Sequence, residues 1–164
     1  MAPHTELIRR LFDRLNDHDV PGLRELWVPD GVERFPDRTC NGIEEIAAYF
    51  DALFAALPDF HMEIQASAEE GDTAFVRWHM TATHTGSGLL GLDATGKSVA
   101  IDGLDHITVR DGKLASNHVV FDQMQFARQL GLLPPDGSTA DRAVKAAFNA
   151  KTKIAELIAQ QRSG

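Results

Sequence analysis

The chain is poor in the groups that announce a function by themselves. It has one cysteine, one tyrosine and two tryptophans in 164 residues. A lone Cys40 excludes an internal disulfide and fits a reducing compartment. Its place beside the turn "TCNG" reads as structural rather than nucleophilic. Cations are also scarce: 16 Lys and Arg stand against 24 Asp and Glu, a net charge of −8. That balance argues against a nucleic-acid surface, which needs clustered bases. No apolar run approaches the roughly 20 residues of a membrane span, so no membrane partner is expected. "MAPHTELIRRLF" lacks the layout of a signal peptide, and the expected location is the cytoplasm. The seven histidines show no HxH or HExxH spacing, so no metal is expected. "GSGLLG" lacks the GK[ST] ending of a phosphate loop.

What is present is an ordinary globular composition, 43% hydrophobic and 24% charged. It is enough for one domain that buries roughly 70% of the unfolded surface. Leu7, Ile8, Leu11, Phe12 and Leu15 form one helical stripe, with Thr5 as expected cap. "DVPGLRELW" restarts a helix, capped by Asp19 with Pro21 in its first turn. "VPDGVERF" reads as a turn at Pro29-Asp30-Gly31 and a brief strand. A third helix runs through Ile43, Ile46, Phe50 and Phe54 and stops before Pro58.

From there the period becomes two. "FHMEIQASA" and "TAFVRWHMTATHT" form a hairpin across "EEGD". "GSGLLGLDATGK" is a glycine-rich loop placed to fold over something. "SVAIDGLDHITV" and "LASNHVVFD" form a second hairpin around Asp111-Gly112. "QMQFARQLGLLPPDG" closes with a short helix or turn. The tail from Ser138 or Thr139 is helical, with Val144, Ala147, Ile154, Leu157 and Ile158 on its apolar side. Residues 1–135 are thus one domain, and 136–164 a helical extension. Helices followed by a strand meander make an α+β fold with an apolar cleft between the layers.

Register decides which polar groups enter that cleft. With Asp111 and Gly112 as the turn, counting back pairs Ile107 with Ser116, Asp105 with His118 and Ile101 with Asp122. One surface then carries Asp105, His118 and Asp122 among Val120, Ile101 and Ile107. The other carries Asp102, His106 and Asn117. Two carboxylates and an imidazole on an aliphatic surface form a candidate acid–base site. A bulge at Gly103 would move everything beyond it to the opposite face. Arg77 and His79 share a strand face, and Trp78 reads as core or pocket wall. His84 in "THTG" reads as a loop anchor.

The stretches "ALPDFHMEI", "VRWHMTATHTG", "TGKSVAIDGLDHITVRDGKLASNHVVFD" and "RQLGLLP", in that order, resemble the SnoaL-like polyketide cyclase family. That family lies within the nuclear transport factor 2-like superfamily, and the resemblance covers about residues 5–134. It implies a cone, with N-terminal helices packed on a strongly curved antiparallel sheet and an extra C-terminal helix. It also implies cofactor-independent aldol cyclisation of a small hydrophobic, oxygenated substrate, and a homodimer. The family's pocket aspartate near the end of the last strand matches Asp122 best. His118 and Asp105 then serve as orienting or oxyanion-side groups, with Asp105 or His106 as the inward partner. Trp78, His106, His84, Val120 and Arg77 complete the expected substrate contacts. The same fold carries isomerases, epoxide hydrolases and noncatalytic binding or dimerisation domains, so fold alone leaves the reaction open.

Overall fold

The computed structural model describes residues 4–86 and 88–162. Ser87 of the glycine-rich loop and the side chain of Leu157 in the tail lie outside the described residues. Two helices open the chain, α1 (Thr5–Asn16) and α2 (Val20–Leu26), and lead into β1 (Trp27–Arg34) and β2 (Thr39–Asn41). Then come α3 (Ile43–Ala56), the hairpin β3 (His61–Glu70) and β4 (Thr73–Thr83), and the hairpin β5 (Ser98–Arg110) and β6 (Lys113–Phe121). The short α4 (Gln123–Gln129) and long α5 (Thr139–Arg162) follow. Among the described residues, no helix is long and apolar enough to cross a membrane.

Local chemistry accounts for the breaks. Asp19 caps α2 by accepting the Gly22 N–H at 2.9 Å, with Pro21 inside the first turn. Thr5 does not cap α1; it is the first helical residue, and its hydroxyl donates to Glu69 on β3 at 3.0 Å. No turn forms at Pro29-Asp30-Gly31. The chain continues as β1, with a register irregularity between Trp27 and Val32 that absorbs the proline. Ser138 caps α5 through a bond from the Asp141 N–H.

The six strands lie in the order β2-β1-β6-β5-β4-β3. All neighbours are antiparallel except β1 and β6, which run parallel, so the sheet is mixed rather than purely antiparallel. Irregularities in β1, in β3 and in the β5–β6 hairpin bend it. Ile8, Leu11, Phe12 and Leu15 of α1 and Ile46, Phe50 and Phe54 of α3 pack against the inner face. That face contributes Met62, Val76, Met80, Ile101, Ile107 and Leu114. The outer face has no helical layer among the described residues and exposes Phe75, Leu104 and Val120.

The β5–β6 register is the fold's consequential detail. Asp111 and Gly112 both take positive φ, +54° and +73°, as a two-residue primed turn requires. Arg110 faces Lys113 and Val109 faces Leu114. Thr108 then pairs with Ser116, so Ala115 is an extra residue on β6. Beyond it Asp105 faces Val119, His106 faces His118 and Gly103 faces Phe121. The slip therefore occurs beside the turn and not at Gly103. Gly103 has another task. The Trp78 indole lies across it so closely that a Cβ there would overlap the ring.

Candidate active site

A cavity of about 410 Å³ opens between the helices and the inner face of the sheet. Its wall is mainly apolar, from Leu11, Leu15, Phe50, Leu53, Met80 and Phe126 among others. Four polar side chains meet on its sheet side, one from each of four adjacent strands: Glu33 (β1), Asn117 (β6), Asp105 (β5) and Trp78 (β4). Alternation explains Asp105, which points inward with Ile101 and Ile107. The extra residue at Ala115 turns Asn117 inward behind it. Glu33 enters because β1 lies parallel beside β6, with Glu33 opposite Asn117.

These groups are nearly removed from water: Glu33 is 3% exposed, Asp105 4% and Asn117 3%. The Trp78 indole donates from Nε1 to Asp105 Oδ1 at 3.0 Å. Asn117 Nδ2 donates to Glu33 Oε1 at 3.1 Å. Glu33 Oε2 and Asn117 Oδ1 are buried without a partner among the described residues. Burial disfavours the charged form of a carboxyl. The Glu33 pKa is pushed up to about 8 by burial first and then by the Asp105 charge, against the pull of Asn117. Asp105 is pushed up to about 7 by burial, opposed by the hydrogen bonds from Trp78 and Asn117. Near neutrality the pair therefore holds at least one proton, chiefly on Glu33, while Asp105 is poised near half-ionisation. One buried acid and one base at once is what proton transfer requires.

The structure corrects much of the expected site. Asp122 is exposed and lies just beyond β6, where its Oδ1 caps α4 by accepting the Met124 and Gln125 N–H groups at 2.9 Å. His118 is exposed on the outer face, opposite His106 and Arg34. Val120 is 49% exposed there and lines nothing. The physical cause is the single slip at Ala115, which inverts every side chain that follows it on β6. His106 is also outside and stacks on Phe75 at 4.7 Å between ring centroids. Arg77 faces solvent near Asp102. His84 is fully buried but does not line the cavity. Its Nδ1 accepts the Thr95 N–H at 3.3 Å and lies 3.1 Å from the Thr95 hydroxyl, which pins the loop after β4. Of the expected residues, Asp105 and Trp78 line the cavity.

Sequence pattern gives no warning of Glu33, and an unbroken strand count puts Asn117 on the wrong surface. The signal for Glu33 is faint: Gly31, Glu33 and Phe35 alternate in "GVERF", but nothing local says that Glu33 faces inward. Among the described residues, no three His, Cys, Asp or Glu side chains come together as a metal cradle.

Known proteins share this architecture. A curated relative, the aklanonic acid methyl ester cyclase DauD of Streptomyces sp. (strain C5), is 26% identical over 137 residues, covering 80% of this chain and 83% of its own. The solved structure of TsrD from Streptomyces laurentii superposes with a TM-score of 0.70 at 24% identity, over 78% of this chain and 94% of that one. AclR from Streptomyces galilaeus reaches 0.72 at 23% identity and covers 98% of this chain and 97% of its own, so its likeness extends over the α5 region. Both are likenesses of fold, the nuclear transport factor 2-like cone. The model of the SnoaL-like domain matches residues 8–117, a span that holds all four polar cavity residues. The chain therefore belongs to the SnoaL-like domain family.

Proposed function

We propose that the protein is a cofactor-independent cyclase that closes a ring by intramolecular aldol addition on a hydrophobic, oxygenated substrate. The observation that carries this reading is the pair of buried carboxyls, Asp105 and Glu33, whose pKa values lie either side of neutral-to-mildly-basic pH. Ionised Asp105 takes a proton from a carbon beside a carbonyl. The protonated Glu33, through its unpartnered Oε2, donates a hydrogen bond to the enolate oxygen that forms. The enolate carbon attacks a second carbonyl of the same molecule. One C–C bond forms, and the resulting alkoxide recovers the proton held by Asp105. Substrate and product are isomers, so no redox partner enters.

Trp78 and Asn117 act as positioning residues. Trp78 holds one oxygen of Asp105, and Asn117 holds one oxygen of Glu33 and leaves Oε2 free. The apolar wall folds the chain so that its reacting carbons meet, which removes much of the entropic barrier, and keeps water from quenching the enolate. The name of the curated relative supplies a first substrate to try, aklanonic acid methyl ester, assayed beside its free acid. Its conversion by the wild-type protein, and loss of that conversion in Asp105→Asn, is the expected result. Undiminished cyclisation by Asp105→Asn would sink the assignment.

A further inference from the structure

The cavity has a second polar end, at its mouth. In the turn between β1 and β2, Arg38 and Asp37 line the opening. The guanidinium sits over the Tyr49 ring, 5.5 Å from its centroid. Tyr49 in turn stacks on Phe35, with centroids 3.8 Å apart. Arg38 donates from Nε to Asp37 Oδ2 at 3.2 Å. Among the described residues, no protein group accepts from its terminal Nη1 and Nη2. A guanidinium has five N–H donors in a planar fork. Asp37 occupies one edge, and the end that fits a carboxylate in bidentate fashion is open. Tyr49 is held neutral, its pKa driven upward by burial first and then by the nearby Asp37 and Glu33 carboxyls. Its hydroxyl therefore stays a proton donor on the same wall.

The two ends differ in what they offer a ligand: acids inside, and at the mouth a guanidinium whose charge Asp37 balances but whose terminal N–H donors stay open. Inside are Asp105, which repels an anion when ionised, and protonated Glu33, whose O–H suits a carbonyl or enolate oxygen. At the mouth is Arg38, the one cationic side chain lining the cavity among the described residues. A ligand that enters with an anionic group can satisfy both ends in only one orientation. Reversing it would press an anion against Asp105 and leave the Arg38 fork empty.

We infer that Arg38 is a specificity-determining residue that selects a substrate carrying a carboxylate on the end left at the cavity mouth, and so sets which carbonyl reaches Asp105. The inference rests on the cavity being the substrate site of the proposed cyclase, but its test does not need turnover. A planar probe pair, hydroxynaphthoate and its neutral methyl ester, is titrated into the full-length protein by isothermal calorimetry. The wild type is expected to favour the carboxylate by about three- to ten-fold at low salt, a modest ratio because the fork is partly exposed. Added salt should shrink the ratio. Arg38→Gln should bring it to unity while leaving the ester's affinity unchanged, and Arg38→Lys should restore only part of it. Glu33→Gln should leave the preference in place.

A wild-type protein that binds both probes equally, or an Arg38→Gln variant that keeps the preference, overturns the assignment and leaves the acid–base reading intact. Failure of both probes to bind overturns it together with the cavity's role as a ligand site. Loss of the preference in Glu33→Gln overturns it as well, because the anion would then be sensed inside the cavity and not at the mouth.

Discussion

Asp102 and Asp105 lie three residues apart on the same strand and have opposite fates. Asp102, on the outer face, accepts from His79 Nδ1 at 2.7 Å and lies 3.7 Å from Arg77. The His79 hydrogen bond, with Arg77 assisting, holds its pKa below the usual carboxylate range. Asp105, on the inner face, is buried, has no cation beside it among the described residues, and is pushed up to about 7. The sequence offers the same side chain twice; solvent access decides which one is permanently charged and which can move a proton.

The strongest way to break this contrast is to neutralise each carboxyl in turn. Asp105→Asn should lower cyclisation roughly 10²–10⁴-fold, the usual contribution of a positioned base. Asp102→Asn should leave kcat/KM unchanged, because that carboxyl never faces the cavity. Comparable losses in both variants would erase the distinction between the faces.

Stability sharpens the comparison next. Glu33 ordinarily titrates near 4.5 and is pushed up to about 8 in the fold. Between those values the folded state keeps a proton that the unfolded chain has released. Stability is therefore fully present below about pH 4.5 and is lost as pH rises through about 8. Glu33→Gln mimics the protonated acid and removes that dependence. By urea titration the variant should exceed the wild type by up to roughly 5 kcal/mol near pH 9, since a tenfold change in proton affinity is worth about 1.4 kcal/mol. Near pH 4 the two should be similar. The same variant should lose activity, so stability and function trade against each other at this position. Equal stability of the two proteins at every pH would mean that Glu33 is hydrated in solution.

A smaller effect is expected on the pH–rate profile. Activity needs Asp105 ionised and Glu33 protonated, so kcat/KM should be bell-shaped with limbs near 7 and 8. The Trp78 hydrogen bond favours the ionised form of Asp105. Trp78→Phe should therefore move the acidic limb upward, whereas a simple packing defect would lower the rate at every pH without moving the limb. The smallest effect belongs to Asp122. Asp122→Ala removes the α4 cap and should lower stability by about 1 kcal/mol, with kcat unchanged. A loss of turnover there would return Asp122 to the site.

The scaffold is largely legible in the chain. The helical stripes of α1 and α3, the two hairpins, the Asp111-Gly112 turn and the apolar cleft all follow from periodicity and turn chemistry, which are local properties. The Asp19 cap is legible for the same reason. The candidate site is not, and two residues show why. An unbroken count from the turn puts His118 inside, and one extra residue at Ala115 sends it outside. Alternation has a period of two, so a slip of one residue inverts the result completely. Glu33 lies far from the hairpin in sequence and reaches it only because β1 docks parallel to β6.

By itself, then, the sequence determined the elements, their order and a greasy hollow between two layers, because those depend on neighbours a few residues apart. Only the tertiary structure decided which carboxyls share that hollow. Their chemistry comes from desolvation, and desolvation is a property of what the rest of the chain lays over them.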